Sequence, residues 1–129
     1  MTKPNDPLTQ HVVAADTGGE HVTTATFLRD VPVFALGNGF VQFGLGAEAR
    51  SVPAHAGTIL VAAADGARLL TGGDDGRVVE TDAAGLTREI GNAQGRWIDA
   101  VAIGPSGSAA WSAGKTVIAR DGKGALRSF

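Results

Sequence analysis

A histidine and two aspartates in the middle of the sequence are of the types needed for acid–base chemistry. Asp74 and Asp75 follow His55 by about twenty residues. Such a set could form a catalytic pair or part of a metal site. No third residue completes a triad, however, and an aspartate in a tight turn commonly accepts backbone N–H groups. We therefore favour a structural role, in which His55 hydrogen-bonds to one of these two aspartates and the aspartate stabilises a tight turn.

The other candidate sites in the sequence are weaker. No serine lies in a Gly-x-Ser-x-Gly setting, which argues against a serine hydrolase. His11, His21 and His55 are too scattered for a zinc signature. The glycine-rich stretch 72–76 lacks a following Lys-Ser/Thr pair and a helix, so it predicts a hairpin rather than a phosphate-binding loop. We predict no catalysis, no metal and no cofactor.

Composition narrows the class of protein. The 129 residues are 43% hydrophobic and 19% charged, as in a globular domain, and the 19 glycines indicate a chain dense in turns. The absence of cysteine excludes disulfides and thiolate sites. A net charge of −2 favours neither nucleic acid nor an anionic membrane as a partner. No signal peptide or membrane span is evident, so we expect a cytoplasmic protein.

Short apolar runs separated by glycine-bearing turns predict an all-β chain. The runs are four to seven residues long, and none shows helical spacing. Asn38-Gly39 and Asp75-Gly76 are strong hairpin turns, because these residues tolerate the positive φ that such turns require. The predicted strands are 22–28, 31–36, 40–43, 49–52, 58–63, 68–72, 77–81, 86–90, 97–103, 108–112, 116–120 and 125–129.

The turn signals recur with a period of 37 to 39 residues, measured from Gly39 to Gly76 and from Asp82 to Asp121. Four strands in that length are typical of a β-propeller blade. We therefore divide the chain into a largely mobile tail, 1–20, and three blades, 21–53, 54–91 and 92–129. The short run His11–Ala15 in the tail could form an edge strand.

The middle repeat resembles the WD40-repeat propellers. Their pattern runs from Gly-His through an apolar strand to a Leu-Ala-Ser-Gly-Ser-Asp-Asp-Gly-like hairpin and a closing Trp-Asp. Here His55 is followed by the strand Thr58–Val61, the hairpin Leu69–Gly76 and the pair Thr81-Asp82 in place of Trp-Asp. The third repeat is similar in 101–107 and 115–121, and the first is the most diverged. The repeats also look like those of uncharacterised bacterial WD40 proteins.

The resemblance implies a buried hydrogen-bond network in each complete blade. In the second blade it assigns His55, Thr71, Asp75 and Asp82 to this structural network, although Thr81 replaces the usual tryptophan. In the third blade Gly114 stands in place of the aspartate. We therefore expect a partial network in the second blade and none in the third.

The resemblance also implies a function. We expect a non-catalytic scaffold that binds protein partners on its rim and loops. Because known propellers have about four to eight blades, three blades predict an open arc, completed by the rest of a longer chain or, less favoured, by identical copies. An enzymatic or small-molecule site in the central channel, and a self-assembling structural module, remain the alternatives.

The two tryptophans lie in the third repeat. We expect Trp97 and Trp111 to be buried, Trp111 more firmly because its strand is central to its blade. If any residues form a partner-binding patch, we expect Arg96, Trp97 and Asp99, because Trp and Arg are the usual anchors of interfaces.

Overall fold

Residues 17–129, which a computed structural model describes, form three four-stranded antiparallel sheets. In each sheet, strands that follow one another in sequence are neighbours. Sheet 1 contains β1 (Val22–Leu28), β2 (Val31–Leu36), β3 (Phe40–Phe43) and β4 (Arg50–Pro53). Sheet 2 contains β5 (Ile59–Ala64), β6 (Arg68–Gly73), β7 (Arg77–Asp82) and β8 (Thr87–Asn92). Sheet 3 contains β9 (Ala100–Ile103), β10 (Ala109–Ala113), β11 (Thr116–Arg120) and β12 (Leu126–Ser128).

The all-β class predicted from the sequence is confirmed, with three four-stranded antiparallel blades in an open, propeller-like arc. The helical segments of residues 17–129 are two short 3-10 turns, Gly46–Glu48 and Pro105–Gly107. In this part of the chain no helix is long and apolar enough to cross a membrane. The edge strand suggested for 11–15 lies outside the described residues, as does most of the tail 1–20.

Eleven strands lie within two residues of their predicted bounds, and the ninth does not. It was expected over 97–103, but β9 begins at Ala100. The preceding residues form a loop in which Gln94 and Gly95 have positive φ values of 55° and 84°. The backbone N–H of Ile98 in this loop donates to the carbonyl of Gly73 at 3.2 Å, across the boundary between sheets. Sheet 2 also extends to Asn92, one residue past the predicted blade boundary.

The sheets stack face to face in chain order. Their first strands β1, β5 and β9 contact one another from sheet to sheet. Because side chains alternate along a strand, each sheet has two faces. We call the face toward the next sheet in sequence the downstream face, and the face toward the preceding sheet the upstream face.

The downstream face of sheet 1 packs on the upstream face of sheet 2 in one continuous core. Val33 and Val41 from sheet 1 meet Ile59, Leu69 and Val79 from sheet 2, and all five are at most 1% exposed. Full burial of an aliphatic side chain of this size contributes about 1.5–3 kcal/mol. The stacking of sheets therefore supplies much of the stability of this arc.

A second core joins sheets 2 and 3. Leu70 and Val78 on the downstream face of sheet 2 pack with Trp111 on the upstream face of sheet 3, and Ile98 from the intervening loop is fully buried between them. Partly buried Val101, Ile103 and Ile118 complete the sheet 3 side. Leu69 and Leu70 are consecutive residues of β6 and point to opposite faces of the sheet, Leu69 into the first core and Leu70 into the second. Sheet 2 is therefore covered on both faces.

One turn is repeated between the third and fourth strands of sheets 2 and 3, and it gives the 39-residue period a physical basis. Asp82 Oδ1 accepts the N–H groups of Ala84 and Leu86 at 2.9 and 3.0 Å. Asp121 Oδ1 accepts those of Lys123 and Ala125, both at 2.9 Å. The short acidic side chain satisfies backbone donors that the tight turn leaves without a strand partner.

Candidate functional site

The hydrogen-bonded group of His55, Thr71 and Asp75 lies inside sheet 2. Thr71 is in the middle of β6, Asp75 is in the β6–β7 turn, and His55 is in the segment that leads into β5. His55 Nδ1 lies 3.0 Å from Asp75 Oδ1, and His55 Nε2 lies 2.8 Å from Thr71 Oγ1. The histidine thus connects the hairpin turn to the centre of the adjacent strand.

The proton positions of this group follow from its chemistry. The Asp75 carboxylate only accepts, so Nδ1 of His55 donates to it. Nε2 of a neutral ring then accepts the hydroxyl proton of Thr71. The carbonyl of Val79 lies 3.3 Å from the same hydroxyl and offers a longer second acceptor. The His55 side chain is 0% exposed, so these bonds are shielded from water.

Asp75 also organises the backbone around it. Its Oδ2 accepts the N–H of Ala56 and its Oδ1 accepts the N–H of Arg77, each at 3.0 Å. Burial acts to raise the pKa of Asp75, but the bonds from Arg77, His55 and Ala56 outweigh it, and the pKa lies below the ordinary 3.8. Asp74 makes a separate bond, accepting the N–H of Thr58 at 2.9 Å.

The lowered pKa of Asp75 predicts a loss of stability in acid. A carboxyl with a depressed folded-state pKa stabilises the fold above its unfolded pKa, and this contribution disappears as the pH falls from about 3.8 through the lower folded value. Urea unfolding across this range should show the decline. Asp75→Asn, which cannot ionise, should show a shallower decline, with Asp65 and Asp121 supplying the remaining slope because their pKa values are also lowered. An equally steep decline in Asp75→Asn would contradict this assignment.

Asp82 lies apart from the group to which the sequence assigned it. Its carboxylate bonds to Ala84 and Leu86 in the β7–β8 turn, as described above. No hydrogen bond found within residues 17–129 links it to His55, Thr71 or Asp75. Asp82 therefore stabilises the β7–β8 turn and not the group of His55, Thr71 and Asp75.

Thr81 occupies the position where the WD40 pattern has tryptophan, and it is fully buried. Within the described part of the chain, its Oγ1 has no hydrogen-bond partner. A buried hydroxyl without a partner costs about 1–3 kcal/mol.

Thr81→Val removes this unpaired hydroxyl while keeping the branched shape. We expect it to raise the free energy of unfolding by about 1 kcal/mol in urea titration. Thr71→Val is the matched control, because the Thr71 hydroxyl is bonded to His55, and it should lower stability. Destabilisation by both substitutions would show that the Thr81 hydroxyl is satisfied.

Arg96, Trp97 and Asp99 all lie on the exposed surface of the loop between β8 and β9. Trp97 is 63% exposed. The expectation that it is buried is therefore wrong: its neighbour Ile98 points into the core and carries the apolar contact instead. Trp111 is 4% exposed, so the expectation for this residue is confirmed.

The loop is anchored on both sides by backbone hydrogen bonds. The N–H of Ala93 donates to the carbonyl of Gly76 at 2.7 Å, and the N–H of Asp99 donates to that of Ser112 at 2.8 Å. Asp99 Oδ2 accepts the N–H of Gly114 at 2.7 Å. The loop therefore holds an exposed indole beside an exposed guanidinium on a defined backbone.

Sequence reasoning missed Ile98 as the residue that fixes this loop. A period-two alternation through Trp97, Ile98 and Asp99 was the available signal, since it places Ile98 alone on the inner side.

Across residues 17–129 no group of three or more His, Cys, Asp or Glu side chains is placed to hold a metal ion.

Comparisons with known proteins bear on the fold alone. No protein family profile matches the sequence, and no curated protein matches it. The chain is similar in structure to the computationally designed Ika4 protein, with a TM-score of 0.74 and 18% identity over 92% of this chain and 77% of Ika4. It is less similar to the designed Ika8 protein, with a TM-score of 0.53 and 15% identity over 84% of this chain and 49% of Ika8.

Proposed function

We propose that this chain is a WD40-type propeller module that binds protein partners without catalysing a reaction. The observation that carries the proposal is the anchored β8–β9 loop, which presents Arg96 and Trp97 to solvent. Trp and Arg are the residues most often responsible for binding energy in interfaces, and a preorganised loop loses little entropy on binding. The WD40 assignment is supported by the bonds that join His55, Thr71 and Asp75.

A structural rather than catalytic role for His55 is supported by its burial. A Thr-His-Asp arrangement could activate a hydroxyl nucleophile, but only where a substrate reaches it. The Thr71 residue and the His55 side chain are both 0% exposed. The proposal further includes a cytoplasmic location, and completion of the arc by further sheets or identical copies.

The test is a quantitative pull-down with the wild type, Arg96→Ala, Trp97→Ala and a control. Leu86→Ala is the matched control, because Leu86 is a large apolar side chain, 70% exposed, in a different loop. At least one protein captured by the wild type and by Leu86→Ala should fall by about tenfold or more with Trp97→Ala, the effect of a residue worth at least 1.4 kcal/mol. Retention of every captured protein by both loop variants would refute the proposal.

A further inference from the structure

The upstream face of sheet 1 is covered at one end and open at the other. Leu36 and Gln42 on this face are 2% and 4% exposed. Phe34, which pairs with Gln42, is half-buried, and Phe27 at the far end of the same face is 61% exposed. Burial on this face therefore increases along β2 toward Leu36. We call the part around Leu36 and Gln42 the covered end.

Sheet 2 does not account for this burial. It packs against the opposite face of sheet 1, through Val33 and Val41, and Leu36 belongs to neither of the two hydrophobic cores. Gln42 Nε2 is buried and has no hydrogen-bond partner within residues 17–129. A buried amide without a partner is costly. The covered end therefore calls for an occupant that is apolar toward Leu36 and offers an acceptor to Gln42.

The chain reaches the described region at this same place. Thr17 and Gly18 border a cavity of about 380 Å³ together with Leu36 and Gln42. The N–H of Glu20 donates to the carbonyl of Thr17 at 3.2 Å, so a tight turn reverses the chain just before β1. The residues that precede Thr17 therefore start from the covered end.

Those preceding residues have the composition that the covered end requires. The apolar run 12–15, Val-Val-Ala-Ala, is separated from Thr17 by one residue. Extended, it spans about 13 Å, close to the width of about 14 Å of a four-stranded sheet. We infer that residues 12–15 lie across the covered end of sheet 1 in the same molecule. Their side chains pack on Leu36, and a backbone carbonyl of this segment accepts the Gln42 Nε2–H.

The segment then acts as a cap on the first sheet of the arc. Repeat proteins need such caps because the outer face of a terminal repeat is otherwise exposed. Further sheets that complete the arc, as in the proposed function, would then join it at sheet 3.

Thiol reactivity tests the cap. The chain contains no cysteine, so one introduced thiol reports whether its own site is covered. The thiol of Gln42→Cys should react with a small thiol reagent about tenfold more slowly than that of Ser51→Cys, because Ser51 is exposed at the paired position of β4. Adding Val12→Asp and Val13→Asp should speed the reaction of the Gln42→Cys thiol by about tenfold, because the charged side chains leave the apolar face.

The matched control for this pair is Thr9→Asp with Gln10→Asp. It adds the same charge to the same segment but leaves the apolar run intact. The reaction rate of the Gln42→Cys thiol should be unchanged in this background.

Ala35→Cys separates loss of the cap from loss of stability. Ala35 is 1% exposed in the core between sheets 1 and 2, so its thiol should stay protected when Val12→Asp and Val13→Asp are present. Equal acceleration of both thiols, no acceleration of the Gln42→Cys thiol, or a Gln42→Cys thiol as reactive as that of Ser51→Cys would each overturn the proposal. Protection of the Gln42→Cys thiol that disappears on dilution would also overturn it, because a second copy would then be the cover.

Discussion

Trp111→Ala is expected to lower the free energy of unfolding by about 3–5 kcal/mol, the usual cost of truncating a buried aromatic residue. Trp111 is 4% exposed and lies between sheets 2 and 3 together with Leu70 and Val78. Its removal leaves a cavity that rigid sheet backbones cannot close. Urea denaturation measures the loss, and Trp97→Ala serves as the control because Trp97 is 63% exposed and should cost less than about 0.5 kcal/mol.

The contact between Trp111 and Gly91 allows a more specific test. A Cβ added at Gly91 would lie 2.4 Å from Cζ2 of Trp111, closer than real carbon atoms approach. Gly91→Ala should therefore cost about 1–3 kcal/mol. In a Trp111→Leu background it should cost much less, because the ring that it meets is gone. Simple additivity of the two substitutions would contradict the stacking of sheet 3 on Gly91.

Asp75→Ala is the other substitution with a large expected effect, a loss of about 3 kcal/mol. It leaves the buried Nδ1–H of His55 and the N–H groups of Ala56 and Arg77 without their acceptor. Each unpaired buried donor costs about 1–3 kcal/mol, and partial access to water reduces the sum.

Asp30→Ala is the matched control for this substitution. Asp30 is exposed in the β1–β2 turn and makes no hydrogen bond or ion pair with any residue in 17–129. It should cost less than about 0.5 kcal/mol. A double-mutant cycle of Asp75→Ala with His55→Ala should show a coupling of about 1 kcal/mol or more. Equal costs for Asp75→Ala and Asp30→Ala would indicate that the buried group does not stabilise sheet 2.

The strands could be predicted because the residues that end each strand and form the turn after it lie next to it in the sequence. Gly39 and Gly76 have φ values of 91° and 81°, which few other residues adopt. Each hairpin can therefore be predicted from a short segment around its glycine. Asp82 and Asp121 likewise bond to N–H groups two and four residues further on. Such signals act within five residues and need no knowledge of the tertiary fold.

The loop before β9 could not be predicted in the same way. Its course depends on bonds to the carbonyls of Gly73, Gly76 and Ser112, which are distant in sequence. Trp97 and Ile98 are adjacent apolar residues, and only one of their side chains can enter the core. The backbone hydrogen bonds of the loop orient Ile98 inward and Trp97 outward. Likewise, the grouping of His55 with Thr71 and Asp75 came from a resemblance, since their spacing alone also allowed a catalytic pair.

The central claim is that sheet 3 stacks on sheet 2 through a buried Trp111 and leaves Trp97 on the surface as the candidate partner contact. Acrylamide quenching of two single-tryptophan variants tests it most directly. With Trp97→Phe, the remaining Trp111 should emit at shorter wavelength and resist quenching. With Trp111→Phe, the remaining Trp97 should emit at longer wavelength and be readily quenched. Equal quenching of the two tryptophans, or stronger quenching of Trp111, would contradict both the stacking and the proposed site.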